Sequence, residues 1–247
     1  MDAAYLAAYE ALYRSHWWWR AREALLLREI SALSAETTLS TILDVGCGNG
    51  LFFPSLERFA ETYGVEPVTE VLDPQGPYRA RIHAGPLDDT YTPPRPVDLL
   101  LALDVIEHLT NPDAFLASAK RVLRPGGVCL VTVPALRLLW TAHDDLNGHV
   151  TRFSRSELVS LFGRHGFAIV HARYFFVLLA AAKLATRFVE AWRPITPQTP
   201  RVPPIFVNAL ARHACLLEQR LLGRHAPGFG SSLLLIATAP AARPNAP

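Results

Sequence analysis

Cysteine is scarce: the 247 residues hold three, Cys47, Cys129 and Cys215, far apart and in no CxxC pair. That excludes a disulfide framework, argues against a cysteine-based metal site and suits a reducing, cytoplasmic setting. No basic stretch followed by an apolar run opens the chain, so no secretory leader is expected. The longest apolar run, Tyr174–Ala182, falls well short of the ~20 residues that a bilayer-spanning helix needs, so no membrane crossing is expected. Dense Lys/Arg tracts interleaved with aromatics are missing, which counts against a nucleic-acid partner. Internal repeats are missing too. Hydrophobic residues make up 50% and charged residues 19%, a balance that calls for a sizeable core rather than disorder.

The net charge of +2 hides an asymmetry: residues 1–110 hold 8 basic and 16 acidic side chains, and residues 111–247 hold 16 and 6. A basic C-terminal half suits an anionic substrate or an anionic membrane surface, although an ordinary arginine-rich surface has the same composition.

Short β-rich runs alternate with helical stretches through the first two-thirds, as in a parallel sheet with crossover helices. The predicted strands are Thr41–Val45, Thr62–Val65, Ala80–His83, Val97–Leu103, Gly127–Val133, Phe167–Tyr174 and Ser232–Ala239. Val97–Leu103 is nearly all apolar, as befits a strand buried on both faces. Asn111-Pro112-Asp113 starts a helix, and Ser154-Arg155-Ser156-Glu157 opens another with a capping box. Ala3–Leu33 reads as one or two helices. Between the last two strands lies an insertion of roughly fifty residues, far beyond an ordinary loop. It comprises an apolar helix (Phe175–Trp192), a proline-rich linker (Arg193–Pro204) and an amphipathic helix (Ile205–Leu222). The expected fold is α/β: a doubly wound, Rossmann-like, seven-stranded, mostly parallel sheet with helices on both faces. The expected divisions are an N-terminal helical lid (1–40), a cofactor-binding core (41–174), the helical insertion (175–231), and the last strand with its tail (232–247).

The first strand runs into Gly46-Cys47-Gly48-Asn49-Gly50, with a helix expected near Leu51. Glycine is needed where backbone turns sharply and approaches a ligand, and the first turn of a doubly wound sheet lies at its binding crevice. The spacing is GxGxG, not the dinucleotide GxGxxG, and Asp44 stands two residues ahead. Glu66 closes the second strand about 16 residues later, where a carboxylate can accept hydrogen bonds from two ribose hydroxyls.

With these residues in view, Leu43–Gly50 resembles motif I of class I S-adenosylmethionine-dependent methyltransferases. The likeness extends to a type 11-like bacterial small-molecule subgroup. Gly64-Val65-Glu66-Pro67 resembles the acidic turn after the second strand of that family. Val97–Leu109 resembles its fourth-strand motif, and Leu123-Arg124-Pro125-Gly126-Gly127 the entry to its fifth strand. The resemblance spans roughly residues 40–175. It implies that S-adenosylmethionine is the cofactor, with Asp44, Gly46, Cys47 and Gly48 around its methionine moiety and Glu66 on its ribose. It also implies an adenine contact from the loop after the third strand. There Gly85-Pro86-Leu87-Asp88-Asp89 departs from the family pattern, so Asp88 stands either as that contact or as a solvated acid. Asp104 sits where cofactor or substrate would pass.

Methyl transfer to a hydroxyl calls for positioning and for a base, and histidine has a suitable pKa. The candidates are His108, His143 and His149. His149, in the loop His143–Ser154 after the fifth strand, is the catalytic candidate; its alternative is a loop brace. That loop, His16–Arg22 and the later Pro227–Ser232 resemble a bacterial subgroup linked to glycan or lipid-carrier pathways. Asp104-x-x-Glu107-His108 resembles the metal-binding stretch of ubiquinone-pathway O-methyltransferases, with Asp for the first Glu, but no metal is assigned.

Trp17, Trp18 and Trp19 cannot share one helix face, so at least one faces a cleft or a membrane unless all pack inward. The insertion reads as a cap over a bulky acceptor, a peripheral membrane element or a homodimer surface. The leading expectation is O-methylation of a hydrophobic or carrier-linked small molecule. Its alternatives are a quinone-pathway, metal-assisted O-methyltransferase and a non-catalytic cofactor-binding scaffold. The GxGxG spacing and the lack of Tyr-x-x-x-Lys disfavour a nicotinamide oxidoreductase.

Overall fold

A computed structural model describes residues 3–193, 200–223 and 228–241. Most of the proline-rich linker, Pro227 and the last six residues of the tail lie outside the described residues. Seven strands form one sheet: β1 (Thr41–Val45), β2 (Glu61–Glu66), β3 (Ile82–Ala84), β4 (Val97–Leu103), β5 (Leu123–Pro134), β6 (Ala168–Phe175) and β7 (Ser232–Thr238). Their order is β3-β2-β1-β4-β5-β7-β6, with β7 antiparallel to both neighbours. The order reverses between β1 and β4, which are paired in parallel, so a crevice opens at their carboxyl ends.

Helices cover both faces. On one, α4 (Pro112–Val122) and α6 (Arg155–Arg164) pack Leu116, Ala119, Leu158 and Phe162 onto Leu43, Leu100 and Val131. Asn111 caps α4 through a bond from the Ala114 amide, and Ser154 and Glu157 form a reciprocal capping box on α6, as the sequence predicts. On the other face, α2 (Trp17–Glu36) lays Leu25, Leu26 and Ile30 against Ile42, Leu99 and Leu130, beside Cys215 of α8 (Ile205–Leu222). α1 (Ala3–Ser15) precedes α2, so the second N-terminal helix belongs to the layer that covers the sheet. α7 (Val177–Trp192) follows β6 directly. Glu218 of α8 accepts from the Val177 and Leu178 amides at 2.8 and 2.9 Å, placing a carboxylate on the unsatisfied donors at the α7 N-terminus.

Two local expectations shift. The helix expected near Leu51 is a single turn, α3 (Phe53–Leu56), entered through Pro54, because β2 begins at Glu61 and leaves no chain for more. β3 begins two residues later than expected, since Arg79–Arg81 form a 3-10 turn tied by the Arg79 guanidinium to the Ile82 carbonyl.

Candidate active site

At the carboxyl ends of β1, β2, β4 and β5 lies a cavity of about 690 Å³, within the size range of small-molecule sites. The glycine turn forms one wall. Gly46 (φ 72°), Gly48 (φ 54°) and Gly50 (φ 74°) are all left-handed, a conformation costly for other residues. A Cβ on Gly46 would meet Val105 at 2.8 Å, whereas one on Gly48 would meet nothing within 4 Å, leaving that backbone open toward a ligand.

Glu66 reaches the same wall from the end of β2. Its oxygens accept from the Gly48 and Val68 amides, each at 2.8 Å. Burial raises its pKa, and those two bonds only partly offset the rise. A buried carboxylate with spare lone pairs beside an open glycine backbone fits the ribose of a nucleoside cofactor.

The other predicted cofactor residues divide. Asp44 is buried beneath the cavity wall; burial pushes its carboxyl up to about 7 despite the Arg22 charge, and Glu66 adds to the rise. Cys47 is turned from the cavity toward β2: a Cβ on Gly64 would lie 2.4 Å from its sulfur, so only glycine admits the thiol there. Asp88 is not brought to the cavity. Its Oδ1 instead closes a local turn, accepting from the Thr90 amide at 2.9 Å and the Thr90 hydroxyl at 2.6 Å. Asp104 does line the cavity, with φ 59°, a strained backbone for a non-glycine residue. Arg22 of α2 holds it at 2.6 Å, and the Thr132 hydroxyl donates to it at 3.2 Å.

The opposite wall comes from the loop after β5. Thr141 and Asp144 form a capping box on the short helix α5 (Ala142–Asn147), and Gly148 ends it in the left-handed region. His149 follows at once. Its Nδ1 lies 2.7 Å from Oδ1 of Asp144, and Arg152 donates to both oxygens of that carboxylate at 2.8 and 2.9 Å. Burial alone would raise the Asp144 carboxyl, but the bonds from His149 and Arg152 outweigh it and hold the group well below the usual range. An ionised carboxylate only accepts, so the proton between the pair belongs to Nδ1. In neutral His149 the lone pair is then on Nε2.

Around Nε2 stand Glu107 and His108, with Glu107 Oε1 at 4.0 Å. Ligand atoms of Glu107, His108 and His149 all lie within 4.8 Å of one another. Both oxygens of Glu107 are buried without a hydrogen-bond partner. Burial and the Asp104 charge raise its pKa well above the ordinary value. His143 and Lys183 complete this side; burial lowers them to about 4 and about 8, helped by the Lys183 charge at His143 and by the Arg152 charge at Lys183.

All three tryptophans of α2 line the cavity, so the expectation of a cleft-facing indole is met by the whole run. Trp18 packs edge-on against Trp19 at 5.0 Å and stacks on the Arg22 guanidinium at 5.3 Å, while the Trp17 amide donates to Asn208 of α8. The sequence reading assigned no role to Arg22, Asp144 or Arg152. Thr141-x-x-Asp144 carried a capping signal, but nothing in one dimension links Arg22 to Asp104.

A family model described as "Methyltransferase domain" matches residues 18–172. The chain belongs to this family: it is a class I S-adenosylmethionine-dependent methyltransferase domain. A "Probable S-adenosylmethionine-dependent methyltransferase" of Mycolicibacterium smegmatis is 30% identical over 164 residues, covering 64% of this chain and 62% of that protein. A ubiquinone biosynthesis O-methyltransferase of Bradyrhizobium sp. (strain ORS 278) is 33% identical over 102 residues, and the match spans only 38% of its length. Among solved structures, an Archaeoglobus fulgidus SAM-dependent methyltransferase superposes with a TM-score of 0.52 at 15% identity, over 87% of this chain and 94% of that one. Haemonchus contortus phosphoethanolamine N-methyltransferase 2, in complex with S-adenosyl-L-methionine, gives 0.51 at 17% identity over 83% and 49% of the two chains. These distant structures share the fold. S-adenosylmethionine is the cofactor of the family, and the open glycine turn with the buried Glu66 carboxylate fits it.

Proposed function

We propose that the protein O-methylates a hydrophobic or carrier-linked small molecule, with His149 as the base. The observation that carries this reading is the hydrogen bond between His149 Nδ1 and the buried, ionised Asp144, which leaves Nε2 free to take a proton at the cavity wall. S-adenosylmethionine supplies a methyl group on a positive sulfur. An acceptor hydroxyl would attack that carbon as the carbon–sulfur bond breaks and S-adenosylhomocysteine leaves, and Nε2 of His149 would take the hydroxyl proton. Glu66 and the glycine turn hold the donor, with the buried Asp44 carboxyl behind that wall. Trp17, Trp18 and Leu179 offer an apolar bed to the acceptor, and Lys183 a cation. The partial likeness to ubiquinone biosynthesis O-methyltransferases supports an oxygen acceptor.

A second reading is a quinone-pathway, metal-assisted enzyme, favoured by the two unpartnered oxygens of Glu107 beside His108 and His149. This donor set fits a divalent ion of intermediate hardness, which would polarise the acceptor oxygen. Asp104, matched to the first metal ligand by sequence, is instead paired with Arg22, and His149 takes its place in the cluster. His149 Nε2 then serves the metal and not the proton.

The test is a screen of lipid, glycan and quinone extracts with methyl-labelled cofactor, before and after chelation. Labelled methyl ethers or esters formed after chelation support the base mechanism. Activity lost on chelation and restored by a divalent ion supports the second reading, and label on nitrogen or carbon overturns both.

A further inference from the structure

The insertion helices are apolar on more sides than the protein covers. α7 turns Leu179, Ala180 and Lys183 inward, and Arg187 donates to the Arg137 and Trp140 carbonyls. Opposite that face, at helical spacing, run Leu178, Ala181, Ala185, Phe188 and Trp192, with Trp192 80% exposed. α8 repeats the arrangement. Asn208, Cys215, Glu218 and Gln219 face the body, while Phe206 (86% exposed), Leu210 (73%), Leu217 and Leu221 (75%) face away. Apolar area of this extent on two adjoining helices marks a surface that meets something.

Charge indicates what covers it. Between Val177 and Leu222 there are six basic residues, Lys183, Arg187, Arg193, Arg201, Arg212 and Arg220, against two acids. Lys183 and Arg187 belong to the inward side and Glu218 is buried in capping α7, so outside Glu190 alone stands against Arg193, Arg201, Arg212 and Arg220. Two such surfaces brought together would place like charges opposite one another, whereas an anionic lipid surface complements both the charge and the exposed Trp, Phe and Leu. Among the described residues no helix is long and apolar enough to cross a membrane.

We propose that α7 and α8 form an interfacial element that lies on an anionic bilayer, with Trp192, Phe206, Leu210 and Leu221 entering the headgroup region. Because α7 also lines the cavity through Leu179 and Lys183, docking brings the acceptor site to the lipid surface. This surface stands apart from the O-methylation reading and does not depend on it.

The full chain should sediment with vesicles of phosphatidylcholine containing phosphatidylglycerol at low salt. Binding should weaken steeply with added salt and be lost on pure phosphatidylcholine. Replacing exposed apolar residues together, Trp192→Ser with Phe206→Ser and Leu210→Ser, should cut the bound fraction at least tenfold without changing Tm. Arg212→Glu with Arg220→Glu should weaken binding by about fivefold or more per site. Cofactor affinity, measured alongside, should stay constant in both variants, which separates this surface from the active site. The proposal is overturned if the wild type does not sediment with anionic vesicles, or if both variants bind as it does. It is also overturned if the wild type is a dimer in solution that the serine variant dissociates while vesicle binding persists.

Discussion

Asp144 and His149, five residues apart, are joined twice: Nδ1 of His149 lies 2.7 Å from Oδ1 of Asp144, and the His149 amide donates to the Asp144 carbonyl at 3.0 Å. The side-chain bond sets the tautomer, and the backbone bond sets the direction in which the ring leaves α5. Arg152, almost wholly buried, closes the unit by gripping the carboxylate and the Ala135 carbonyl. A histidine held this way presents one defined lone pair to the cavity.

His149→Ala should therefore reduce turnover by about 10²–10⁴-fold, the usual worth of general base catalysis. Cofactor affinity by calorimetry should stay unchanged. Unaltered turnover would remove His149 from the chemistry.

The clamp makes a separate prediction about stability. Arg152→Met leaves the Asp144 carboxylate buried without its charged partner and should cost about 3–5 kcal/mol by denaturant unfolding. Adding Asp144→Asn should recover part of that loss, because the two groups share one interaction. Strict additivity would mean that the pair is not coupled.

Glu66→Ala should weaken S-adenosylmethionine binding by tenfold or more, since hydrogen bonds to a charged group contribute about 1.5–3 kcal/mol each. NAD binding tighter than that of S-adenosylmethionine would contradict the cofactor assignment.

His143 supplies a pH dependence. Its native pKa of about 4 lies below the ordinary 6.5, because burial and the Lys183 charge disfavour the cation. Between those values the unfolded chain binds the proton and the native one does not, so stability falls as pH drops from above 6.5 to about 4. His143→Gln should flatten that part of the Tm-against-pH curve. An unchanged slope would place the loss on other groups.

Gly64 tests the packing behind the cofactor wall. A Cβ there would fall 2.4 Å from the Cys47 sulfur and 2.9 Å from Phe53, so Gly64→Ala should cost about 1–3 kcal/mol. Cys47→Ala on the same chain should restore part of it, as read by thermal unfolding. No recovery would mean that Phe53 alone resists the methyl group.

The order of strands and helices was legible in one dimension because each element announces itself locally. Val97–Leu103 is apolar but for Asp98, Ser154 and Glu157 cap reciprocally, and Ile205–Leu222 carries a helical period, so all three coincide with the observed elements. Of the boundaries that moved, the one at Leu51 is set by the length of chain left before β2, and the one at Arg79 by a 3-10 turn that the Arg79 side chain closes on the Ile82 carbonyl.

For the candidate site, the sequence by itself determined the wall formed by the glycine turn: three glycines able to take positive φ, followed by an acid at the end of the next strand. These features depend on backbone conformation and short spacing, both of which are encoded locally. Only the tertiary structure decided the rest. It set Asp88 outside the cavity, tied Asp104 to Arg22 across 82 positions, and turned Glu107 toward His149. Such pairings depend on which residues the sheet carries to one crevice. Burial, which moves Glu107, His143 and Lys183 from their ordinary pKa values, exists only once the chain has closed around them.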